Sequence, residues 1–177
     1  MPSHPVADQE ELLDLVNEQN EVIGILPRSE VYARGLSNFR ASNGFIRNSL
    51  GQLWIPRRVA TKKLFPLGLD MSIAGHVSSG ETYDESFARE AFEEIGIDVA
   101  KLPVRVLGFM TPHEHGTAAF VKAYEIQMDE TPTLNPHDFI EAYWLTPKEV
   151  LERLAQGETS KEDLPRMIRH FYPEATA

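Results

Sequence analysis

The stretch that most constrains this chain runs from Gly75 to Ile97, GHVSSGETYDESFAREAFEEIGI. Gly75 and Gly80 bracket a polar loop, and the helix-compatible segment behind it carries Glu90, Glu93 and Glu94 at i, i+3 and i+4. At about 100° per residue these three carboxylates share one helical face. By the same arithmetic Ala88, Ala91, Phe92 and Ile95 fall on the opposite face, where they are expected to pack against a sheet. Like charges one turn apart destabilise a helix by roughly 0.2–0.5 kcal/mol per pair, so folding alone does not ask for such a cluster. A divalent cation does, because Mg²⁺ and Mn²⁺ are hard ions that take oxygen ligands from a few carboxylates and from substrate phosphates. An isolated Glu-Glu pair reads as a solvated face; the spacing around this one says more.

From Gly75 the chain counts five residues to Glu81, seven to Arg89-Glu90, two to Glu93-Glu94 and one to Gly96, followed by the aliphatic Ile97. This pattern resembles the signature of the Nudix hydrolase family, with Ala91 standing where that family usually has a larger aliphatic residue. The resemblance implies an α+β fold, an α/β/α sandwich with a mixed β-sheet flanked by helices. It also implies attack of water on a diphosphate linkage in a nucleoside di- or triphosphate or a nucleoside diphosphate derivative. Metal would be held by Glu90, Glu93, Glu94 and the carbonyl of Gly75, with Mg²⁺ expected and Mn²⁺ an alternative. Arg89 would act as an orienting residue that pairs with acidic neighbours such as Glu81.

The chain is long enough, at 177 residues, for one domain with a sizeable core, expected over residues 11–177 behind a flexible tail, Met1 to Glu10. Its net charge of -10 and lack of a basic block argue against a nucleic-acid surface. An anionic substrate must then find local positive charge, from metal ions and a few placed arginines. The absence of cysteine removes disulfides and thiol chemistry. Neither a signal-peptide core nor a long apolar run is visible, so the expected setting is cytoplasmic, away from membranes, with a small-molecule substrate and a monomeric or homodimeric state.

Taken in order, Leu12–Val16 and Val22–Leu26 read as a β-hairpin across Asn17–Glu21, and Ser29 as the cap of a short helix ending at Gly35. Ala41–Arg47 and Gln52–Arg57 read as strands joined by Asn48-Ser49-Leu50-Gly51. Arg57 and Arg58, at a strand end, are candidates for phosphate binding, since a guanidinium fork suits phosphate oxygens. Lys62 and Lys63 read as solvated. Asp70–Ala74 is expected as a short strand leading into Gly75. Strands are also expected over Val104–Met110 and Ala118–Met128, joined by the loop TPHEHGT, in which His113 is a candidate substrate contact and Glu114 a candidate general base. The family resemblance adds Glu141, just before a strand tryptophan, as a further metal or catalytic candidate. Thr146-Pro147-Lys148-Glu149 opens a capped helix, and a last helix runs from about Lys161 to Tyr172. Phe45, Trp54, Phe65 and Phe109 are expected mostly in the core.

Two other functions compete. The N-terminal segment LLDLVNEQNEVIGILPRSEVYARGL resembles the isopentenyl-diphosphate isomerase branch of the same family. Those isomerases use a cysteine immediately before the glycine-histidine pair, here Gly75-His76, and this chain has Ala74 there; their matching histidine makes His76 a possible ligand. The third function is a nucleotide-binding module without turnover, which would have no need of a repulsive carboxylate cluster.

Overall fold

The computed structural model describes residues 10–176, so the tail expected over Met1 to Glu10 lies outside them except for Glu10. The sheet owes its depth to β3, Arg40–Arg47, whose residues from Ala41 to Ile46 are all buried. Side chains alternate across a strand, and here both faces are covered: Phe45 enters one core cluster and Ile46 the other. The same holds on β4, Leu53–Arg58, where Leu53 and Ile55 join one cluster and Trp54 the other.

The six-stranded sheet has the order β6-β7-β3-β4-β8, where β6 is Val104–Met110, β7 Phe120–Gln127 and β8 Phe139–Leu145. β7 runs parallel to β3 along its whole length, and β6–β7 and β4–β8 are antiparallel, so the sheet is mixed. One edge of β3 is shared. Its first half pairs antiparallel with β5, Ile73–His76, and at its far end Arg47 pairs with Leu53 of β4. β4 leaves to pair with β8, and the sheet opens between β4 and β5.

Helix α2, Tyr83–Ile95, covers one face through Phe87, Ala91 and Ile95. Helices α4, Pro147–Ala155, and α5, Asp163–Phe171, cover the other through Val150, Leu164, Met167 and Ile168. The result is the expected α+β sandwich. A separate hairpin of β1, Leu12–Val16, and β2, Val22–Pro27, followed by α1, Arg28–Ala33, packs beside β3 and β5. No helix among the described residues is long and apolar enough to cross a membrane.

Several local expectations change. Ser29 does not cap α1: the cap position is Pro27, without a side-chain bond, and the Ser29 amide donates to Glu10 at 2.8 Å. The strand expected over Asp70–Ala74 forms later, at Ile73–His76, because Ala41–Gly44 of β3 offers it a pairing edge only there. The TPHEHGT connection contains a single helical turn, α3, Pro112–His115, capped by Thr111. Lys62 is not simply solvated but pairs with Asp138 at 2.6 Å. Of the four aromatics assigned to the core, Phe45 and Trp54 are buried, whereas Phe109 is exposed and Phe65 lines a cavity.

Candidate active site

β5 delivers the chain to Gly75, residues 77–82 turn it, and α2 carries it away. Thr82 starts the helix with a capping box: its hydroxyl accepts from the Glu85 amide at 3.1 Å, and the Glu85 carboxylate accepts from the Thr82 amide at 2.9 Å. Gly96, at φ 68°, ends the helix in the left-handed region that favours glycine.

The buried face of α2 holds Ala91 and Ile95 as expected but is rotated toward Phe87 and away from Phe92. Phe87, Ala91 and Ile95, at i, i+4 and i+8, point into the sheet, while Phe92 is 66% exposed. Phe87 stacks on Tyr124 of β7 at 4.1 Å between ring centroids, which fixes the rotation of the helix. This rotation turns Glu90 and Glu94 toward the body of the protein, beside the apolar stripe, and leaves the Glu93 side chain 58% exposed. The three carboxylates therefore do not sit alike.

Glu90 lies against the backbone of Gly75. A Cβ built on Gly75 would fall 2.2–2.4 Å from the Glu90 carboxylate and its neighbouring carbon, so this position requires glycine for close approach. Arg89 organises the remainder. Its Nε and Nη2 donate to both oxygens of Glu81 at 2.8 and 3.0 Å, its Nη1 to Glu90 at 2.8 Å and Glu93 at 3.3 Å, and its Nη2 also to the His76 carbonyl at 3.2 Å. Glu81 in turn accepts from the Ser78 amide at 3.0 Å.

Electrostatics separate these groups further. Burial resists ionisation of Glu81, but hydrogen bonds from Arg89 and Ser78 hold its carboxyl below the ordinary range. Burial raises Glu90 despite its bond from Arg89, with Glu93 adding repulsion. Glu94 is raised well above the ordinary carboxyl range, first by burial and then by the charges of Glu90 and Asp70, against the weaker pull of Lys161. His76 is pushed down to about 3 by burial and by the nearby charges of Arg28, Lys161 and Arg89, so its imidazole is neutral at pH 7.

Gly75, Glu90 and Glu94 open into a cavity of about 580 Å³ whose other walls include Arg28, Arg58, Lys62 and Lys161. Among the described residues no three His, Asp or Glu side chains converge as a ready metal cage. Arg89 occupies part of the space between them. The donor set nevertheless suits a hard divalent cation: it is oxygen-only, it holds two carboxyl groups raised by burial and by their like-charged neighbours, and it is opened by a glycine that a Cβ would block.

The other sequence candidates lie elsewhere. Arg58 lines the cavity and pairs with Asp70 at 2.8 Å, but Arg57 does not line it. Arg57 donates to Glu141 at 2.6 Å, Glu158 at 3.0 Å, Tyr143 at 3.3 Å and the Leu67 carbonyl at 3.1 Å. Glu141, in β8, bonds Arg57 and the Tyr143 hydroxyl, and those bonds hold its carboxyl low. Glu114 is exposed on α3; His113 packs near Phe120 with ring centroids 5.8 Å apart, and His115 accepts from the Thr111 amide at 2.9 Å. None of Glu141, Glu114, His113 and His115 lines the cavity.

Sequence reasoning missed Arg28, Tyr32 and Lys161 as cavity residues. Lys161 arrives because its amide donates to the Leu69 carbonyl at 2.9 Å, a long-range contact with no local signal. It also missed how the hairpin holds the motif loop. Asp14 of β1 accepts from the Ser79 hydroxyl at 2.6 Å, Glu11 accepts from the Ser78 hydroxyl at 2.8 Å, and the Ser79 amide donates to the Leu12 carbonyl at 2.7 Å.

Comparison with known proteins gives this arrangement its context. Residues 38–167 match the NUDIX domain profile. An uncharacterised Nudix hydrolase of Nostoc sp. is 49% identical over 162 residues, covering 92% of this chain and 96% of its own. A Nudix hydrolase of Deinococcus radiodurans is 46% identical over 165 residues, covering 93% of this chain and 96% of its own. A crystal structure from Deinococcus radiodurans matches with a TM-score of 0.87 at 45% identity, over 92% of this chain and 99% of the other. A MutT protein from Methanosarcina mazei, at 22% identity and a TM-score of 0.56 over 78% of this chain and 95% of its own, shares the fold alone. With the motif, the sandwich and these relatives in agreement, the chain belongs to the Nudix hydrolase family.

Proposed function

We propose that this hydrolase cleaves a diphosphate linkage in a small anionic substrate, a nucleoside di- or triphosphate or a nucleoside diphosphate derivative, with Mg²⁺ as cofactor and Mn²⁺ as an alternative. The observation that carries this reading is an imbalance of charge. Glu81, Glu90 and Glu93 surround the single guanidinium of Arg89, and Glu94 stands beside them facing the cavity. An anion entering among these carboxylates and the basic side chains of the cavity needs a cation on the acidic side.

Glu90, Glu93, Glu94 and the Gly75 carbonyl are the groups to hold that ion, which when bound supplies positive charge to phosphate oxygens and lowers the pKa of water. The protein's own part is orientation. Arg89, fixed by Glu81, sets the position of Glu90, and the glycine at 75 gives Glu90 its room. Among Glu90, Glu114 and Glu141, only Glu90 lines the cavity, and we assign it as acceptor of the proton from the attacking water. Arg58 and Lys161, both paired with Asp70, line the same cavity and offer positive charge to the phosphates. Arg89 makes no substrate contact in this reading.

The test is divalent-metal-dependent hydrolysis across nucleoside di- and triphosphates, ADP-ribose, nucleotide sugars and dinucleoside polyphosphates, with Glu93→Gln and Glu94→Gln as controls. Turnover of one class that needs Mg²⁺ and collapses in both variants is the expected result. Metal-independent turnover, or turnover that survives both substitutions, would overturn it.

A further inference from the structure

The NUDIX profile begins at residue 38, yet Arg28, Tyr32 and Leu36 line the same cavity as Gly75, Glu90 and Glu94. The segment ahead of the matched domain therefore builds one wall of the site. Arg28 and Tyr32 stand one turn apart on α1, with the guanidinium carbon 5.7 Å from the ring centroid. The Arg28 side chain is 51% exposed, and its ion pair with Glu11 is long, at 3.9 Å. Tyr32 is 42% exposed, but it is not loose. Its hydroxyl lies 2.7 Å from His76 Nε2, and its ring meets those of His76 edge-on at 5.7 Å and Phe39 at 6.0 Å. Since His76 directly follows Gly75, this hydrogen bond fixes the aromatic wall to the backbone of the carboxylate end.

We propose that residues 28–36 form the substrate-recognition wall, in which the Tyr32 ring stacks on the planar base of a nucleotide and Arg28 contacts its phosphates. A ring held at its hydroxyl and two edges loses little freedom when a ligand stacks on it, so its contribution to binding is large for its area. An adjacent guanidinium suits a ligand that is aromatic at one end and anionic at the other. A prenyl diphosphate offers the anionic end only. The inference rests on the diphosphate reading above for the chemistry at Glu90 and Glu94, and it assigns the non-reacting end of the substrate to a part of the chain outside the matched domain.

Equilibrium binding separates the two. The ligands are α,β-methylene nucleoside diphosphates, methylenediphosphonate, which has no base, and isopentenyl diphosphate, each with Mg²⁺ present. The proteins are the full chain and its Tyr32→Leu, Tyr32→Phe and Arg28→Gln variants. Loss of one base-stacking contact is expected to weaken the nucleoside analogue roughly 5- to 150-fold in Tyr32→Leu. Methylenediphosphonate should be unaffected there, Tyr32→Phe, which keeps the ring but loses its bond to His76, should fall between wild type and Tyr32→Leu, and Arg28→Gln should weaken both phosphonates. The proposal is overturned if Tyr32→Leu weakens both equally or neither, or if isopentenyl diphosphate binds wild type more tightly than every nucleoside analogue. Should Tyr32→Leu fail to fold, nuclear Overhauser contacts between base protons and the Tyr32 ring in the wild-type complex support stacking directly, and their absence refutes it. Tyr32-dependent binding in a chain that hydrolyses none of the parent nucleotides would refute the hydrolysis reading and uphold the recognition wall.

Discussion

Arg89 on α2 and Arg57 on β4 are both partly buried guanidiniums gripped by glutamates, and the sequence marks both as site candidates, one from the motif and one from its place at a strand end. Around Arg57 the charges balance. It pairs with Glu141 and Glu158, Arg153 also reaches Glu158 at 3.5 Å, and the two guanidiniums lie 5.5 and 4.2 Å from the centroid of the Tyr143 ring. Two cations face two anions, and the cluster braces β4 and β8 against the end of α4. Around Arg89 one cation meets Glu81, Glu90 and Glu93, with Glu94 left to repel them. A neutralised cluster is complete by itself, whereas one with surplus negative charge leaves a charge that the proposed cation would offset.

The largest effect should come from removing the surplus. Glu94→Gln is expected to lower kcat/KM by roughly 10- to 100-fold or more, on the proposal that Glu94 holds the metal, measured by phosphate release with Mg²⁺. The same substitution should stabilise the metal-free protein. A carboxyl whose folded pKa is raised costs stability above its ordinary pKa, and the cost grows with pH until the folded pKa is passed. Metal-free Glu94→Gln should therefore melt above wild type at pH 7, and Mg²⁺ should raise the melting temperature of wild type much more than that of the variant. Equal metal-free melting temperatures would remove the contrast between the two clusters.

Gly75→Ala comes next. With a Cβ forced against Glu90, that carboxylate must move, and a displacement of about 1 Å at a reacting group costs on the order of a hundredfold in rate. Steady-state kinetics with a melting curve will show whether the loss lies in kcat, as expected, or in folding.

The unbalanced side should also be the acid-sensitive one. His76 has a folded pKa of about 3 against an ordinary value of 6.5, so below pH 6.5 the unfolded chain binds the extra proton. Keeping the ring neutral in the fold costs nothing above pH 6.5, and below it stability falls toward pH 3 with a limiting slope of about 1.4 kcal/mol per pH unit. Glu94 acts with the opposite sign, so the two are separated by urea titrations of His76→Gln, which should flatten the acid limb.

The smallest effect is expected from Arg57→Ala. With Glu141 and Glu158 both open to solvent, these partly exposed ion pairs contribute about 1 kcal/mol each, so a loss of a few °C in melting temperature, with kcat/KM within about threefold of wild type, is predicted. A selective rise in KM would instead make Arg57 a phosphate contact and erase the distinction drawn between the clusters.

The sequence by itself determined the helix with its acidic pattern, the family, the sandwich and most strand positions, since these follow from local spacing: capping residues, turn glycines and period-two apolar runs. It placed Ala91 and Ile95 on the buried side of α2 but missed the rotation that buries Phe87 in place of Phe92. That depended on Phe87 finding Tyr124 across the sheet, a contact 37 residues distant, and it decided that Glu90 and Glu94 face the cavity while Glu93 and Phe92 face water. Nor could it separate Arg57 from Arg58, neighbours on either side of a β-bulge in the pairing of β4 with β8, one of which reaches Glu141 and Glu158 and the other the cavity. Tyr32 and Lys161 carry no motif at all, and they reach the site only because a hairpin and an inter-helix connection fold back onto β5 and its approach. Charge spacing along one helix is a local property that sequence records directly, but the closing of a cavity depends on long-range packing, which exists only once the sheet has formed.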